Sequence, residues 1–131
     1  MNSWRADVVV VGAGHAGCEA AWAASKLVGS VVLATLSRGS IASMPCNPAV
    51  GGTAKGQLVR EIDALGGLMG QAIDATGIQF KVLNASRGPA VWAPRAQADK
   101  ARYADWMRAA IEGASSIRVV EAQVARLLLE G

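Results

Sequence analysis

The first forty residues alternate between short apolar runs and one alanine-rich stretch. The runs at 7–11 and 30–35 are too short and too uniformly apolar for amphipathic helices, so they predict buried parallel strands. The alanine-rich stretch at 15–27 predicts a helix between them. A strand, a helix and a strand in this order predict a βαβ unit, whose crossover is almost always right-handed.

The pattern becomes less regular after residue 35. The segment 36–53 predicts a loop, and 54–65 predicts a helix with Leu58, Ile62 and Leu65 on one face and a stop at Gly66 and Gly67. The remaining predictions are a short helix or turn at 69–77, a strand at 78–86, a loop at 87–95, a helix at 96–112, and strands at 117–121 and 124–129.

The apolar run at 124–129 is predicted to be a strand close to the last residue, Gly131. Such a strand needs a neighbour for its backbone hydrogen bonds. We therefore expect either a partner chain over this edge or an N-terminal piece of a larger protein. The predicted fold is a single truncated α/β domain over residues 1–131, incomplete at its C-terminal end.

Composition narrows the class of protein. The chain has 131 residues, 52% of them apolar, and a mean hydropathy of +0.28, which argues against disorder. A net charge of +3 is compatible with a nucleic-acid partner but does not require one. Two cysteines form no disulfide framework, and no signal peptide or membrane-length apolar run is present, so we expect a cytoplasmic protein without membrane association.

The segment VVVVGAGHAGCEAA carries the spacing G-x-G-x-x-G at Gly12, Gly14 and Gly17. The motif follows a predicted strand and opens a predicted helix, which is the context that a dinucleotide-binding fingerprint requires. Gly12 permits the tight turn, Gly14 permits close approach of a pyrophosphate, and Gly17 permits close packing of the helix on the strand. The predicted binding residues are Gly12, Ala13, Gly14, His15, Ala16 and Gly17.

The acid that usually ends the second strand of such a fold and binds a ribose hydroxyl is missing, because this position reads LATLSRG. Thr35 or Ser37 could make a weaker hydrogen bond there. Arg38 leaves recognition of the 2′-phosphate of NADP open, although a solvated arginine is the simpler interpretation.

The other candidate side chains near the fingerprint have simple interpretations that need no catalysis. His15 is the only histidine, and contact with phosphate or water is a simpler role for it than general base catalysis. Cys18 lies one turn into the predicted helix and is interpreted as a packing residue. One histidine and two cysteines do not predict a zinc site, and no metal site is expected.

Cys46 lies in the loop SMPCNPAVGG, between two prolines and ahead of a glycine pair. In a fold with this fingerprint, the segment after the second strand passes near the cofactor ring. The N-terminus of the following helix, together with Lys55, could favour the thiolate. From the residues alone, a reactive thiol and an inert packed cysteine remain equally open.

Four blocks resemble the N-terminal region of the MnmG (GidA) family of tRNA uridine 5-carboxymethylaminomethyl modification enzymes, in the family's order. These blocks are DVVVVGAGHAGCEAA, MPCNPAVGGTAKGQLVREIDALGG, AIDATGIQFKVLNASRGPAV and PRAQADKARY. The glycine block is generic, whereas the blocks around Cys46 and Gln79 are specific. The resemblance covers nearly the whole chain.

The resemblance implies a Rossmann-type FAD-binding domain of the glutathione-reductase type. It implies FAD on the 12–17 loop with Val124 at the adenine end through its backbone, and NADH as a reductant whose site lies outside this chain. It further implies tRNA as substrate, the GTPase MnmE as partner, methylene-folate as carbon donor, and a homodimer in the full-length form. Cys46 matches a family cysteine proposed to be catalytic, with addition to uracil carbon 6 as a plausible role.

One position departs from the family pattern, and other functions remain open. Trp92 stands where many relatives have a basic residue, which puts a phosphate contact there in doubt. Rival interpretations are a non-catalytic FAD-binding fragment, a folate- and FAD-dependent tRNA uracil methyltransferase, and an NAD(P)-dependent enzyme. In the family context, the basic residues predict contacts with tRNA phosphates; these are Lys81, Arg87, Arg95, Lys100, Arg102 and Arg108.

Overall fold

A computed structural model describes residues 3–44 and 47–129. Its strands are β1 (Val8–Val11), β2 (Val31–Thr35), β3 (Ala49–Gly51), β4 (Gly77–Leu83), β5 (Ala93–Ala98) and β6 (Ile117–Glu121). Its α-helices are α1 (His15–Ser25), α2 (Lys55–Ala64), α3 (Met69–Thr76) and α4 (Lys100–Gly113). Short 3₁₀ turns occupy Arg38–Ser40, Ala85–Arg87 and Pro89–Val91.

The first sheet is parallel and has the order β1-β2-β6. Strand β2 lies in the centre, and all five of its residues are buried. Val8 of β1 pairs with Val31, and Val31 in turn pairs with Ile117 of β6. The predicted strand–helix–strand unit at the start of the chain is therefore confirmed. Because the strands are parallel, their carboxyl ends meet at one edge, where Val11, Thr35 and Glu121 end.

The second sheet is antiparallel and has the order β3-β5-β4. The sequence predicted β4, but it placed β3 inside a loop and divided β5 between a loop and a helix. Both assignments were wrong. Residues Ala96 and Ala98 of β5 are buried, whereas Arg95 and Gln97 are exposed. The period of two in this pattern is that of a strand with one buried face.

Helix α4 begins later than predicted. It starts at Lys100 instead of 96, because the Asp99 side chain accepts hydrogen bonds from the amides of Ala101 and Arg102 and caps the N-terminus. Tyr103, Met107 and Ile111 form its buried face and are fully enclosed in the core.

Helix α2 ends where the glycine pair predicted. Gly66 has a φ of +81°, and the amides of Gly66 and Gly67 donate to the carbonyls of Asp63 and Ile62, which is a Schellman ending. The predicted apolar face is not the buried one, since Leu58 and Leu65 are exposed while Val59 is buried.

The segment 122–129 continues from β6 without forming a strand, so the strand predicted at 124–129 was wrong. Its residues are exposed, including the three leucines 127–129. Within the described ranges, no helix has the length and apolar character needed to cross a membrane.

Candidate cofactor-binding site

The glycine loop connects β1 to α1 at the carboxyl edge of the parallel sheet. Gly12 has a φ of +94°, a conformation that favours glycine, and its amide donates to the Ala34 carbonyl at 2.8 Å. A Cβ on Gly17 would overlap the carbonyl oxygen of Gly12. The first turn of the helix therefore packs directly against the strand end, as the spacing of the motif predicted.

The N-terminus of α1 presents free donors. Gly14 is the N-cap residue and supplies no side chain, and the first intrahelical bond runs from the Cys18 amide to the Gly14 carbonyl at 2.9 Å. The amides of His15, Ala16 and Gly17 precede that bond and have no intrahelical partner. No acidic residue lies in the first turn. The positive end of the helix dipole is thus uncompensated, which suits a phosphate group.

Space for such a group lies beside Gly14. A Cβ at Gly14 would have no atom within 4 Å, so the backbone here faces open space. Ala13 is buried, and its carbonyl accepts from the Ala42 amide at 2.8 Å. This bond joins the fingerprint to the segment that leads toward the Cys46 loop.

Glu19 connects the fingerprint helix to the rest of the fold. Its carboxylate accepts from the Leu68 amide at 3.0 Å and from the Met69 amide at 2.7 Å, at the start of α3. Trp22 of α1 and Lys26, the residue that caps the C-terminus of α1, donate to the Gly66 carbonyl at 3.0 and 2.7 Å. Helix α1 is therefore fixed on the α2–α3 corner by three side chains, none of which the motif singled out.

Cys18 has the inert character that the sequence predicted. Its thiol is buried and donates to the Ala13 carbonyl at 3.4 Å. Burial raises the pKa of this thiol to about 11. At neutral pH Cys18 is a protonated packing residue.

His15 is half-buried beside Tyr103, with ring centroids 5.6 Å apart and planes tilted by 30°. Burial lowers the pKa of His15, the Lys55 ammonium lowers it further, and Glu19 partly opposes both. The imidazole is therefore neutral at pH 7, where it can still donate one hydrogen bond. A phosphate or water contact fits this state better than a cationic role.

The edge where a ribose would lie differs from the usual arrangement. Thr35 is buried, and its hydroxyl donates to the Ser37 carbonyl at 3.1 Å. The acid that β2 lacks is present on β6, since Glu121 is the register partner of Thr35. Glu121 accepts from the Arg38 amide at 2.6 Å. Sequence reasoning missed Glu121, because only the strand order brings it here.

The Arg38 side chain is occupied within the fold. Its guanidinium forms an ion pair with Glu112 at 2.7 Å and donates to the Val119 carbonyl at 2.8 Å. These contacts use two of the five N–H donors of the guanidinium, and the side chain stays half exposed.

The last two candidate residues from the sequence are Val124 and Cys46. Val124 is exposed in the irregular segment after β6, where the Ala122 amide still donates to the Thr35 carbonyl at 2.8 Å. That bond holds the chain at the end of β2 two residues before Val124, and the role of Val124 at the adenine end stays a prediction. Cys46 lies outside the described residues, and its catalytic role also stays a prediction.

A βαβ unit, a glycine loop under a free helix N-terminus, and an open approach beside Gly14 define a dinucleotide-binding domain of Rossmann type. The family model described as glucose inhibited division protein A matches residues 7–131. The chain belongs to this GidA family, which confirms the resemblance and the α/β fold class drawn from the sequence.

Curated relatives support the same assignment. The tRNA uridine 5-carboxymethylaminomethyl modification enzymes MnmG of Protochlamydia amoebophila and Parabacteroides distasonis are 55% and 56% identical, over 96% and 95% of this chain. The solved structure of Aquifex aeolicus GidA, form II crystal, superposes with a TM-score of 0.93 at 49% identity, covering 98% of this chain and 22% of that one. The chain spans about a fifth of the length of these curated relatives.

Proposed function

We propose that this chain supplies the cofactor-binding part of an FAD-dependent tRNA-modifying enzyme. The reaction is the addition of a carboxymethylaminomethyl group to carbon 5 of the wobble uridine, together with the GTPase MnmE. The observation that carries this proposal is the free N-terminus of α1 over the glycine loop, in a chain whose relatives are named as enzymes of this modification.

The residues present fit FAD. The amides of His15, Ala16 and Gly17 would hold its pyrophosphate, because they form the positive end of α1 and Gly14 leaves the approach open. The backbone at Val124 would meet the adenine end. Bound FAD would supply the redox chemistry of the reaction, with NADH as the reductant. Holding the cofactor in place is the work of this chain.

Cys46 is the proposed nucleophile. Its thiolate would add to carbon 6 of the uracil, and the electron pair of the C5–C6 double bond would move to carbon 5. Carbon 5 would then bond to the methylene carbon of the folate while one carbon–nitrogen bond of that methylene breaks and its electron pair passes to the folate nitrogen. Loss of the carbon 5 proton would return the electron pair and expel the thiolate. Lys55 begins α2 just beyond this loop, and its ammonium donates to the Ala49 carbonyl at 3.2 Å, which supports a positive field in this region.

The remaining parts of the proposal concern the whole enzyme. The carbon unit comes from a methylene-folate, the substrate is tRNA, and the full-length protein is a homodimer in the cytoplasm. Because the chain matches only about a fifth of its relatives' length, we propose that it binds FAD without modifying tRNA on its own.

The cofactor proposal is tested by titrating the chain with FAD and following flavin fluorescence and visible absorbance. We expect saturable binding in the chain and weaker binding in Gly14→Ala, whose new Cβ would enter the open approach. Gly113→Ala is the matched control, since a Cβ there also meets no atom within 4 Å but lies at the far end of α4. Absence of flavin binding in the unaltered chain would refute the proposal.

The catalytic proposal needs a complete enzyme. Residues 1–131 can replace the matching segment of a full-length curated relative, and the modified nucleosides of tRNA can be measured by mass spectrometry in cells that lack their own enzyme. We expect the chimera to restore the modification and its Cys46→Ser variant to lose the modification while retaining flavin. The Cys18→Ala variant is the control. Full modification with Cys46→Ser would exclude the nucleophile.

A further inference from the structure

Tyr103 is a fully buried tyrosine whose hydroxyl has no hydrogen-bond partner among the described residues. The buried threonines differ from it, because the hydroxyls of Thr35 and Thr76 donate to carbonyls of the fold. In the part of the chain that the structure describes, the one other unpartnered buried side-chain atom is Nε of Arg108, whose guanidinium pairs with Asp105 through another nitrogen. The Tyr103 hydroxyl therefore requires an explanation, since an unsatisfied buried hydroxyl costs stability.

Packing accounts for the aromatic ring of Tyr103 but not for its oxygen. A phenylalanine would fill the same space without burying a polar group. The start of α4 is fixed around this residue, because the Asp99 side chain caps the helix and the Tyr103 amide donates to the Asp99 carbonyl at 2.9 Å. The hydroxyl is thus a donor on an enclosed ring, and a partner has to move toward it.

The aromatic neighbour of Tyr103 is His15, the first residue of α1 in the glycine loop. The two ring centroids lie 5.6 Å apart, and the planes are tilted by 30°. His15 is only half-buried, so its side chain has room to turn. Burial and the Lys55 ammonium lower the pKa of His15, and the neutral imidazole has one donor nitrogen and one acceptor nitrogen.

The imidazole of His15 is not fixed by the hydrogen bonds that hold its helix. The side chains of α1 that form hydrogen bonds are those of Cys18, Glu19, Trp22 and Ser25. His15 is not among them, so no hydrogen bond to the described residues decides which ring nitrogen carries the proton. An acceptor nitrogen without a fixed donor therefore lies beside a donor without an acceptor.

We propose that Tyr103 is a positioning residue for the bound cofactor: its hydroxyl donates to the acceptor nitrogen of His15 and directs the N–H of the other ring nitrogen toward the pyrophosphate. This inference rests on the proposed function, which assigns FAD to the glycine loop, and adds to that site a residue from a helix that the motif does not contain. A donor on one imidazole nitrogen fixes the tautomer, because the proton then lies on the other nitrogen. The contact gives the hydroxyl an acceptor and the phosphate a further donor.

The first test combines FAD titration with urea unfolding of Tyr103→Phe, which keeps the ring and removes the hydroxyl. We expect the dissociation constant for FAD to rise by about 2- to 12-fold, the range for the loss of one hydrogen bond. The urea midpoint of the cofactor-free variant should stay equal or increase, because the unpartnered hydroxyl is gone. A purely structural role would instead change stability and leave FAD affinity as it is.

The second test asks whether Tyr103 acts through His15. In a His15→Ala background, Tyr103→Phe should not weaken FAD binding further, because the group through which it acts is absent. His15 is the only histidine of the chain, so nitrogen-15 NMR of chain labelled at histidine reports one imidazole. With FAD bound, we expect a single tautomer in the unaltered chain and a mixture of both in Tyr103→Phe.

Thr76→Val is the matched control, because it also removes a buried hydroxyl, one that donates to the Ala72 carbonyl at 2.7 Å within α3. We expect its FAD affinity to equal that of the unaltered chain. Equal FAD affinities of Tyr103→Phe and the unaltered chain would overturn the inference and leave the proposed function intact. An undiminished effect of Tyr103→Phe in the His15→Ala background, or the same tautomer signal in both proteins, would do the same. Absence of FAD binding in the unaltered chain would overturn the inference and the proposed function together.

Discussion

Substitution of Gly17 by alanine tests whether the helix of the fingerprint packs on its strand as closely as the structure has it. A Cβ at this position would overlap the Gly12 carbonyl oxygen, lie 2.9 Å from the carbonyl carbon, and lie 3.6 Å from the Val10 side chain. The first two contacts are backbone atoms, which cannot rotate away as a side chain can. Relief therefore requires the whole first turn of α1 to move.

The expected loss of stability follows from two opposing effects. Overpacking in a close-packed site costs about 1–3 kcal/mol. Replacement of glycine by alanine inside a helix returns about 1 kcal/mol. Because the overlap is with backbone, we place the steric cost at the upper end and expect a net loss of about 2 kcal/mol. For a chain of this size, that is a decrease in Tm of roughly 6–10 °C.

The assay is urea unfolding followed by circular dichroism, with the flavin titration run in parallel. Gly14→Ala separates stability from binding, since its Cβ meets no atom within 4 Å. We expect Gly14→Ala to keep the free energy of unfolding while losing FAD affinity, and Gly17→Ala to lose both. A Gly17→Ala variant as stable as the unaltered chain, within about 0.5 kcal/mol, would refute the close packing of the loop.

Three further predictions concern side chains around the same helix. Glu19→Ala removes the carboxylate at the start of α3 and should cost about 2 kcal/mol in urea unfolding; a loss no larger than that of the exposed Glu61→Ala would contradict this. The pKa of His15 is lowered in the fold, so the unfolded chain takes up its proton first, and stability should fall as the pH decreases below about 6.5. His15→Asn should flatten that decrease, and an unchanged pH profile would exclude His15 as its source. Cys18 has a pKa of about 11, so it should resist iodoacetamide at pH 8 until urea unfolds the chain, as measured by peptide mass spectrometry; rapid labelling of the folded chain would contradict its burial.

The first third of the fold could be predicted because its information is local. The apolar runs at 7–11 and 30–35 correspond to β1 and β2, each of which begins one residue later than predicted and ends where predicted. The glycine spacing between them encodes both the turn and the packing of the helix. An apolar run and a glycine at a fixed offset need no knowledge of the distant chain to be interpreted.

Strand β5 could not be assigned in the same way. Its sequence, APRAQA, has no β-branched or aromatic residue, and its alanines favour a helix. The strand exists because β3 and β4 pair with it on its two sides. The alternation of buried alanines with Arg95 and Gln97 was the available signal, but six residues of such a pattern compete poorly with helix propensity.

The strand predicted at 124–129 is absent for the opposite reason. Its apolar residues suit a strand, but a strand forms only where a neighbour takes its backbone hydrogen bonds. In the part of the chain that the structure describes, β6 pairs with β2 and no strand pairs with 124–129. The hydrophobicity of these residues therefore predicted a strand, but no neighbouring strand among the described residues pairs with them.

The strand order determines which groups surround Arg38 at the end of β2, a question that the glycine motif leaves open. The missing acid after β2 left Arg38 as a candidate for a 2′-phosphate. The parallel order β1-β2-β6 brings Glu121 opposite Thr35, and Glu121 then accepts the Arg38 amide while Glu112 holds the Arg38 guanidinium. The guanidinium therefore has two internal partners, while its side chain stays half exposed. The strand order thus gives Arg38 a role inside the fold, so an arginine after β2 is not by itself a sign of a 2′-phosphate site.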